Sequence, residues 1–319
     1  MAIIFDGKKL AGEKEKILAK KVAEFKKATG ITPKLVAVMV GENKASKIYL
    51  RKKSEAAKRV GMEMEIFKLN KAEELIKLIR EKNKDEKTHG IMIQMPIEIQ
   101  NLPPSGGTPP KAVAKSLPCR QAGKIQNKFK IPACPAGRQN SKFKILGAIA
   151  PRKDVDCLTP ENFGLLAMGK PRFLPATVKG ILEVINFAFS RGANRISPPG
   201  CQYTCVVGAS NIVGKPLALH LSNLGATVTI CRSKTKNLEQ YTRRADLLVS
   251  ATGVPKLIKK DMVKKKAVVI DVGSPVGDVD FENVSQIASF ITPVPGGVGP
   301  VTVVCLLENV FQAAKLEEF

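Results

Sequence analysis

Tryptophan is absent from this chain, histidine occurs only at His89 and His220, and aromatic residues make up 5%. So few flat side chains leave little from which to build a surface that stacks nucleobases. The seven cysteines fall at irregular intervals, with Cys201 and Cys205 the one close pair. No second pair or histidine cluster completes a zinc-site spacing, so reduced, mostly structural thiols and no metal are expected. No apolar run approaches the ~20 residues that span a bilayer. The start, Met1 to Gly7, lacks the basic head and long apolar core of a signal peptide, so a cytoplasmic protein with no membrane partner is expected. Acid is scarce too: 28 Asp and Glu stand against 52 Lys and Arg, a net charge of +24. A basic surface attracts nucleic acid. The lysines are nevertheless spread along the whole chain, as on solvated helix faces, and the same field draws in small phosphorylated cofactors. Nucleic acid is therefore not the expected partner.

What is present is a chain of 319 residues, long enough for two domains, each with its own core. Its first third alternates strand and helix. Lys8 to Thr29 predicts an amphipathic helix with Leu10, Ile17, Leu18, Val22 and Phe25 on one side, ended by Gly30. Strands are predicted at Lys34 to Val40, Glu63 to Lys68 and Gly90 to Gln94, and helices at Ala45 to Val60 and Ala72 to Lys84. That rhythm specifies a parallel α/β domain.

The organising stretch is Tyr203-Thr-Cys-Val-Val-Gly-Ala-Ser-Asn-Ile-Val-Gly-Lys-Pro216. A β-branched run stops at Gly208, and a helical pattern begins near Lys215 with Pro216 in its first turn. Strand, glycine turn and helix N-terminus in that order bring unpaired backbone N–H groups to the mouth of a crevice, where a pyrophosphate binds. No Ser or Thr follows Lys215 and the glycine spacing is one residue too long, which disfavours a Walker A loop. A tight turn that binds nothing fits the same spacing. Strands predicted at Thr227 to Cys231, Ala245 to Thr252 and Ala267 to Val272 complete a Rossmann-type half, with helices at Leu217 to Leu224 and Ile181 to Ser190. The first of these strands, Thr227 to Cys231, is followed by Arg232 and Ser233, where NAD enzymes tend to place an acid, and this favours NADP.

Two further stretches carry chemistry. Tyr49 and Lys53 are four apart and share a helix face, pairing a ring that can stack on a flat ligand with a proton-transfer group. A surface tyrosine beside one of many lysines is the plainer reading. Short-chain dehydrogenases also use Tyr-x-x-x-Lys, but there the glycine turn precedes the pair. Ile291 to Pro300 holds three prolines and three glycines, a stiff loop able to press backbone against a ligand or simply to connect domains. Between Ile97 and Ala150 the pattern lapses. That stretch carries nine Lys or Arg, one acid (Glu98) and a weak repeat around Cys119 and Cys134. It is expected to be a disordered basic insertion, an RNA-binding arm being the alternative.

Together these residues resemble the bifunctional methylenetetrahydrofolate dehydrogenase/cyclohydrolase family. The matches are Ser46-x-x-Tyr49-x-x-x-Lys53, Gly90-Ile-Met-Ile-Gln94-Met-Pro96, Lys153-Asp-Val-Asp156, Val207 to Pro216, Ser233 to Asn237, Val269-Ile-Asp-Val-Gly273 and Ile291 to Pro300. They occur in family order over nearly everything outside 97–150. The resemblance implies an N-terminal α/β catalytic domain (1–150) completed by the C-terminal helix (300–319), a Rossmann NADP domain (151–299) and a folate cleft between them. It implies a homodimer through the cofactor domain. It also implies that Lys53 is the acid/base, oriented by Gln94, and that Asp156 binds the amino-pyrimidine edge of the pterin. Tyr49 would stack on the pterin, and Pro295, Gly296 and Gly297 would line the folate site. Gly208, Ala209, Ser210, Arg232, Ser233 and Ser274 would line the NADP site. The implied activity is oxidation of 5,10-methylenetetrahydrofolate followed by hydrolysis to the 10-formyl product. The competing expectations are one activity alone, or a basic RNA-binding protein with a degenerate enzyme body. Cys157 stands where the family has glycine, Val178 where it commonly has proline, and the run Val272 to Asp278 is shorter than the usual hairpin.

Overall fold

The computed structural model describes residues 2–41, 43–69, 72–95, 144–191 and 203–316. Among them lie two sheets. The smaller has the order β3 (Glu63–Leu69), β2 (Lys34–Val40), β4 (Gly90–Gln94). The larger has the order β1 (Ile3–Ile4), β9 (Phe290–Ile291), β8 (Val268–Asp271), β7 (Leu247–Ser250), β5 (Tyr203–Val207), β6 (Thr227–Cys231). Every strand pairing in both sheets is parallel, the two-domain α/β architecture with a Rossmann-type half that the alternating pattern calls for.

In the smaller sheet, strand alternation sorts the core into two faces. Leu35, Ala37, Met39 and Met92 face α1 (Gly7–Thr29), α2 (Lys44–Arg59) and the last helix; Val36, Val38, Val40, Ile91 and Ile93 face α3 (Ala72–Lys84). Helix α1 starts where Asp6 accepts the Lys9 N–H at 3.0 Å and ends at Gly30, whose φ of 74° suits a residue without a Cβ. Ile17, expected on its buried side, is 55% exposed, one step off the stripe formed by Ala11, Leu18, Val22 and Phe25.

Residues 97–143 of the expected insertion lie outside the described residues, but 144–150 do not. Ile145 and Ile149 are fully buried against Val36, Val38, Ile91 and Ile93, which corrects the expectation that disorder extends to Ala150. The helix Ala176–Ser190 (here α5, following α4 at Pro160–Ala167) starts before the predicted Ile181, and Val298–Leu316 (α9) starts before the Pro300 that the resemblance implies. The sequence signal was masked by Pro175 and by Gly299-Pro300, residues that read as breakers but are tolerated at a first turn. The other helices of the larger domain are α6 (Gly214–Asn223), α7 (Leu238–Thr242) and α8 (Phe281–Val284).

Helix α9 straddles both cores. Val298, Val301 and Cys305 pack with the larger sheet, whereas Val304, Leu306, Leu307, Val310 and Ala313 pack with the smaller. A charge network fastens it. Glu308 on α9 reaches Lys14 of α1 at 3.1 Å and Lys179 of α5 at 2.8 Å, and Lys14 also reaches Glu183 at 2.8 Å. Burial alone would raise the Glu308 carboxyl, but Lys179 and Lys14 outweigh it and hold the group below its ordinary 4.5. Its contribution to stability is therefore complete above that ordinary value and is lost as pH falls through the lowered folded-state value. Glu308→Ala leaves two half-buried ammonium groups without their shared partner and should lower unfolding free energy by about 1–3 kcal/mol at neutral pH. Urea titrations of both proteins at pH 7 and at pH 3 check this, since the difference should shrink at the lower pH.

Candidate active site

Helix α2 begins where the Asn43 side chain accepts the Ser46 N–H at 3.0 Å, and the next turns present Tyr49 and Lys53. Strand β4 ends at Gln94, and Met92 and Gln94, two residues apart, share one face. The Lys53 Nζ lies between them, 3.1 Å from Gln94 Oε1 and 3.2 Å from Met92 Sδ. Gln94 Nε2 donates to the Met95 carbonyl at 3.0 Å, which turns the amide oxygen toward the lysine. Burial lowers the Lys53 pKa from its usual value, and Asp156 opposes the shift. The amide and the thioether are neutral acceptors, so they hold the head group without favouring its charged form as a second carboxylate would.

Asp156 arrives on a segment built from the Lys153-Asp-Val-Asp run. The Ile91 N–H donates to the Lys153 carbonyl at 2.7 Å, and Asp154 makes a parallel bridge with Ile91, so the segment runs beside β4. Val155 packs so close that a Cβ on Gly90 would lie 2.9 Å from its Cγ1. Asp154 itself is structural. Wholly buried, it accepts from the Leu158 and Thr159 N–H groups, the Thr159 hydroxyl and Asn162 Nδ2 at 2.7–2.9 Å. Lys153 caps the carboxyl end of α3 by donating to the Asp85 carbonyl at 2.7 Å. Asp156 Oδ1 accepts the Ala176 N–H at 3.2 Å. Burial raises its pKa and Lys53 opposes that, so both members of the pair are displaced toward neutrality. Cys157, next in line, has φ 55°, a left-handed conformation that explains why glycine suits this position. Its buried thiol is pushed up to about 12 and is no nucleophile at neutral pH.

Across the cleft, the β5–α6 turn closes on itself. Gly208 has φ 117°, and a Cβ there would stand 2.3 Å from the Ala251 carbonyl oxygen; one on Gly214 would stand 1.8 Å from the Gly208 oxygen. No Cβ fits at Gly208 or Gly214, so at these two positions only backbone faces the crevice, as the close approach of a dinucleotide phosphate requires. Ala209 is half-buried and Ser210 exposed, with Ser210 Oγ accepting the Val213 N–H at 3.1 Å. Arg232 and Ser233 are exposed just past the end of β6. Ser274 follows β8 on a turn held by Asp271, whose carboxylate accepts from the N–H groups of Gly273, Asp278 and Val279 at 2.8–3.0 Å. Asp278 in turn accepts from Ser250 and the Thr252 N–H, tying this turn to β7.

The two sides meet. Tyr49 Oη and Ser274 Oγ share a hydrogen bond, one residue from each lobe. The Pro295 loop is fixed beside them: Gly7 N–H donates to the Gly296 carbonyl at 3.0 Å, a Cβ on Gly7 would overlap the Gly297 oxygen, and one on Gly277 would lie 3.3 Å from Val294 Cβ. The structure therefore brings Lys53, Gln94 and Asp156 together and joins Tyr49 to Ser274. Gly208, Ala209 and Ser210 line the turn on the opposite lobe, and Arg232 and Ser233 sit farther out toward the sheet edge. Met92, Asp154 and Asp271 lie within the matched motifs without any role read from them, and Asn309 lies outside every motif, because each supports the site through a tertiary contact. A separate cleft of about 1000 Å³, lined by Lys34, Lys84, Lys87 and Arg152 among others, lies at the opposite, amino-terminal edge of the smaller sheet.

Residues 5–103 match the tetrahydrofolate dehydrogenase/cyclohydrolase catalytic domain, and residues 175–318 match the NAD(P)-binding domain of the same family. The bifunctional protein FolD of Exiguobacterium sibiricum is 40% identical over 99% of this chain and 100% of its own length. The crystal structure of the bifunctional FolD enzyme from Campylobacter jejuni, 35% identical, superposes with a TM-score of 0.80 over 99% of this chain and 100% of its own. The Trypanosoma brucei dehydrogenase-cyclohydrolase, solved with NADP cofactor and an inhibitor, is 30% identical with a TM-score of 0.80, covering 99% of this chain and 98% of its own. The chain belongs to the tetrahydrofolate dehydrogenase/cyclohydrolase family.

Proposed function

We propose that one cleft in this protein oxidises 5,10-methylenetetrahydrofolate to the 5,10-methenyl form with NADP and then hydrolyses that product to 10-formyltetrahydrofolate. The observation that carries this reading is a half-buried lysine, Lys53, held by neutral acceptors beside Asp156 and one helical turn from the Tyr49–Ser274 contact that links the two lobes. The smaller sheet with helix α9 holds the folate, and the larger sheet holds the dinucleotide.

Asp156 binds the amino-pyrimidine edge of the pterin through its carboxylate, Tyr49 stacks on the ring, and the Pro295-Gly296-Gly297 backbone forms a wall of the folate site. The turn at Gly208, Ala209 and Ser210 holds the dinucleotide phosphates, Arg232 and Ser233 meet the 2′-phosphate, and Ser274 lies toward the nicotinamide. NADP, when bound there, accepts the hydride that leaves the methylene bridge of the folate. The methenyl cation so formed is the electrophile for the second step. Water adds to its bridging carbon, and Lys53, shifted by burial toward its free amine, takes the proton from the adding water. The same lysine returns that proton to the departing ring nitrogen as the carbon–nitrogen bond breaks, and the hydroxyl proton leaves to solvent as the formyl C=O forms. A lysine suits this duty because burial lowers its pKa, and Gln94 orients it without raising that pKa as a carboxylate would.

Strand β6 is an open edge of the larger sheet, with Thr227 and Ile230 exposed, and we assign the homodimer contact to this cofactor-domain edge. No helix among the described residues is long and apolar enough to cross a membrane. The RNA-binding alternative rests on residues 97–143, outside the described residues.

Lys53→Met should abolish cyclohydrolase turnover, followed as the loss of methenyltetrahydrofolate absorbance, because it removes the amine that takes up and returns the proton; wild-type turnover would remove Lys53 from the mechanism. Arg232→Ala should raise the KM for NADP about tenfold while leaving the KM for NAD nearly unchanged, since it deletes only a contact to the 2′-phosphate; equal effects on both would place that phosphate elsewhere. Sedimentation equilibrium should give twice the chain mass, and a charged substitution at Ile230 should halve it.

A further inference from the structure

Asn309 is a polar side chain buried to 1% exposure in the middle of helix α9, among Val304, Leu307, Val310 and Ala313. Its Nδ2 donates to two carbonyl oxygens, those of Val155 and Leu174, each at 2.8 Å. Val155 immediately precedes Asp156. Leu174 lies two residues before Ala176, whose N–H is the donor to Asp156 Oδ1 at 3.2 Å. One amide thus clamps both the backbone that carries the carboxylate and the backbone that supplies its hydrogen bond. Lys179 Nζ donates to Asn309 Oδ1 at 3.4 Å, so the amide has its oxygen toward the lysine and its NH₂ toward the two carbonyls. The two N–H donors of a single NH₂ group are thereby both committed, and no aliphatic residue of similar volume could supply them. Lys179 is itself held by Glu308 at 2.8 Å, which connects the clamp to the charge network of the three long helices.

We propose that Asn309 is a positioning residue for folate binding: by pinning the Val155 and Leu174 backbones it sets the place of the Asp156 carboxylate. This rests on the reading of Asp156 as the group that meets the pterin edge. The carbonyls of Val155 and Leu174 belong to different parts of the chain, and nothing in the local sequence of either would keep them a fixed distance apart. The clamp does so from a third element. A shift of one flank relative to the other would turn the carboxylate off the Ala176 N–H and away from a ligand edge that needs two aligned acceptor oxygens. The dinucleotide turn at Gly208 shares none of these contacts, so the effect is confined to the folate side.

The test is a double-mutant cycle in the full chain, with steady-state KM values for methylenetetrahydrofolate and for NADP. Asn309→Ala should raise the folate KM about tenfold, as loss of paired buried hydrogen bonds would, and leave the NADP KM within about twofold. Asp156→Ala should raise the folate KM as well. In the double variant the two effects should not add, because Asn309 acts through Asp156. Additive effects, or an equal rise in both KM values for Asn309→Ala, would overturn the proposal and leave Asn309 a general support. If Asp156→Ala leaves the folate KM unchanged, the underlying reading of Asp156 fails, and the proposal with it. Asn309→Ser, which keeps one donor, should show a smaller and likewise non-additive rise, and it is the variant to read if the alanine protein does not fold.

Discussion

Placing an ammonium group out of water with one carboxylate for company is unfavourable, and the architecture around Lys53 exists to sustain it. The lysine is held at the carboxyl end of a parallel strand by an amide oxygen and a thioether, and its counter-charge Asp156 comes from a different part of the chain. Burial drives both groups toward neutrality while each draws the other back toward charge. A pair balanced in that way can exchange a proton at modest cost, which a fully solvated lysine cannot do near neutral pH. The supporting contacts serve that balance. Asp154 fastens the segment that carries Asp156, Gln94 is turned by Met95, and the β4 face fixes Met92 beside the head group.

The opposing lobe is shaped by a different constraint, the exclusion of side chains. Gly208 and Gly214 approach backbone oxygens so closely that any Cβ would collide, and the result is a turn made of peptide groups. Asp271 performs a comparable service for the Ser274 turn by gathering three N–H groups onto one carboxylate. The two lobes then meet where Tyr49 touches Ser274.

Much of this was legible in the residues themselves. The strands Lys34–Val40, Gly90–Gln94 and Thr227–Cys231 and the helix Ala72–Lys84 have the predicted ends, because alternation, glycine stops and short polar turns are local signals. The grouping of Lys53, Gln94 and Asp156 followed from the family resemblance and not from spacing, since the three come from separate elements. Less local features stayed hidden. Ile3–Ile4 becomes a strand only because β9 lies beside it, and a two-residue strand has no periodicity to read. Asn309 and Asp154 look like ordinary polar residues until burial gives them carbonyl and N–H partners. Helix starts at Ala176 and Val298 were obscured because proline and glycine mark both loops and first turns. The repeat that runs into Ile145 groups residues 144–150 with the basic stretch, although they are almost wholly apolar and Ile145 and Ile149 belong to the core.

Helix α9 contributes to both cores although it follows both sheets in the chain. During synthesis the smaller sheet therefore emerges long before the helix that covers one of its faces, and in the interval Met39, Met92 and Leu35 have no permanent cover. The nascent chain must wait, with apolar surface open to chaperones or to neighbours, until its final segment is released and closes both halves at once.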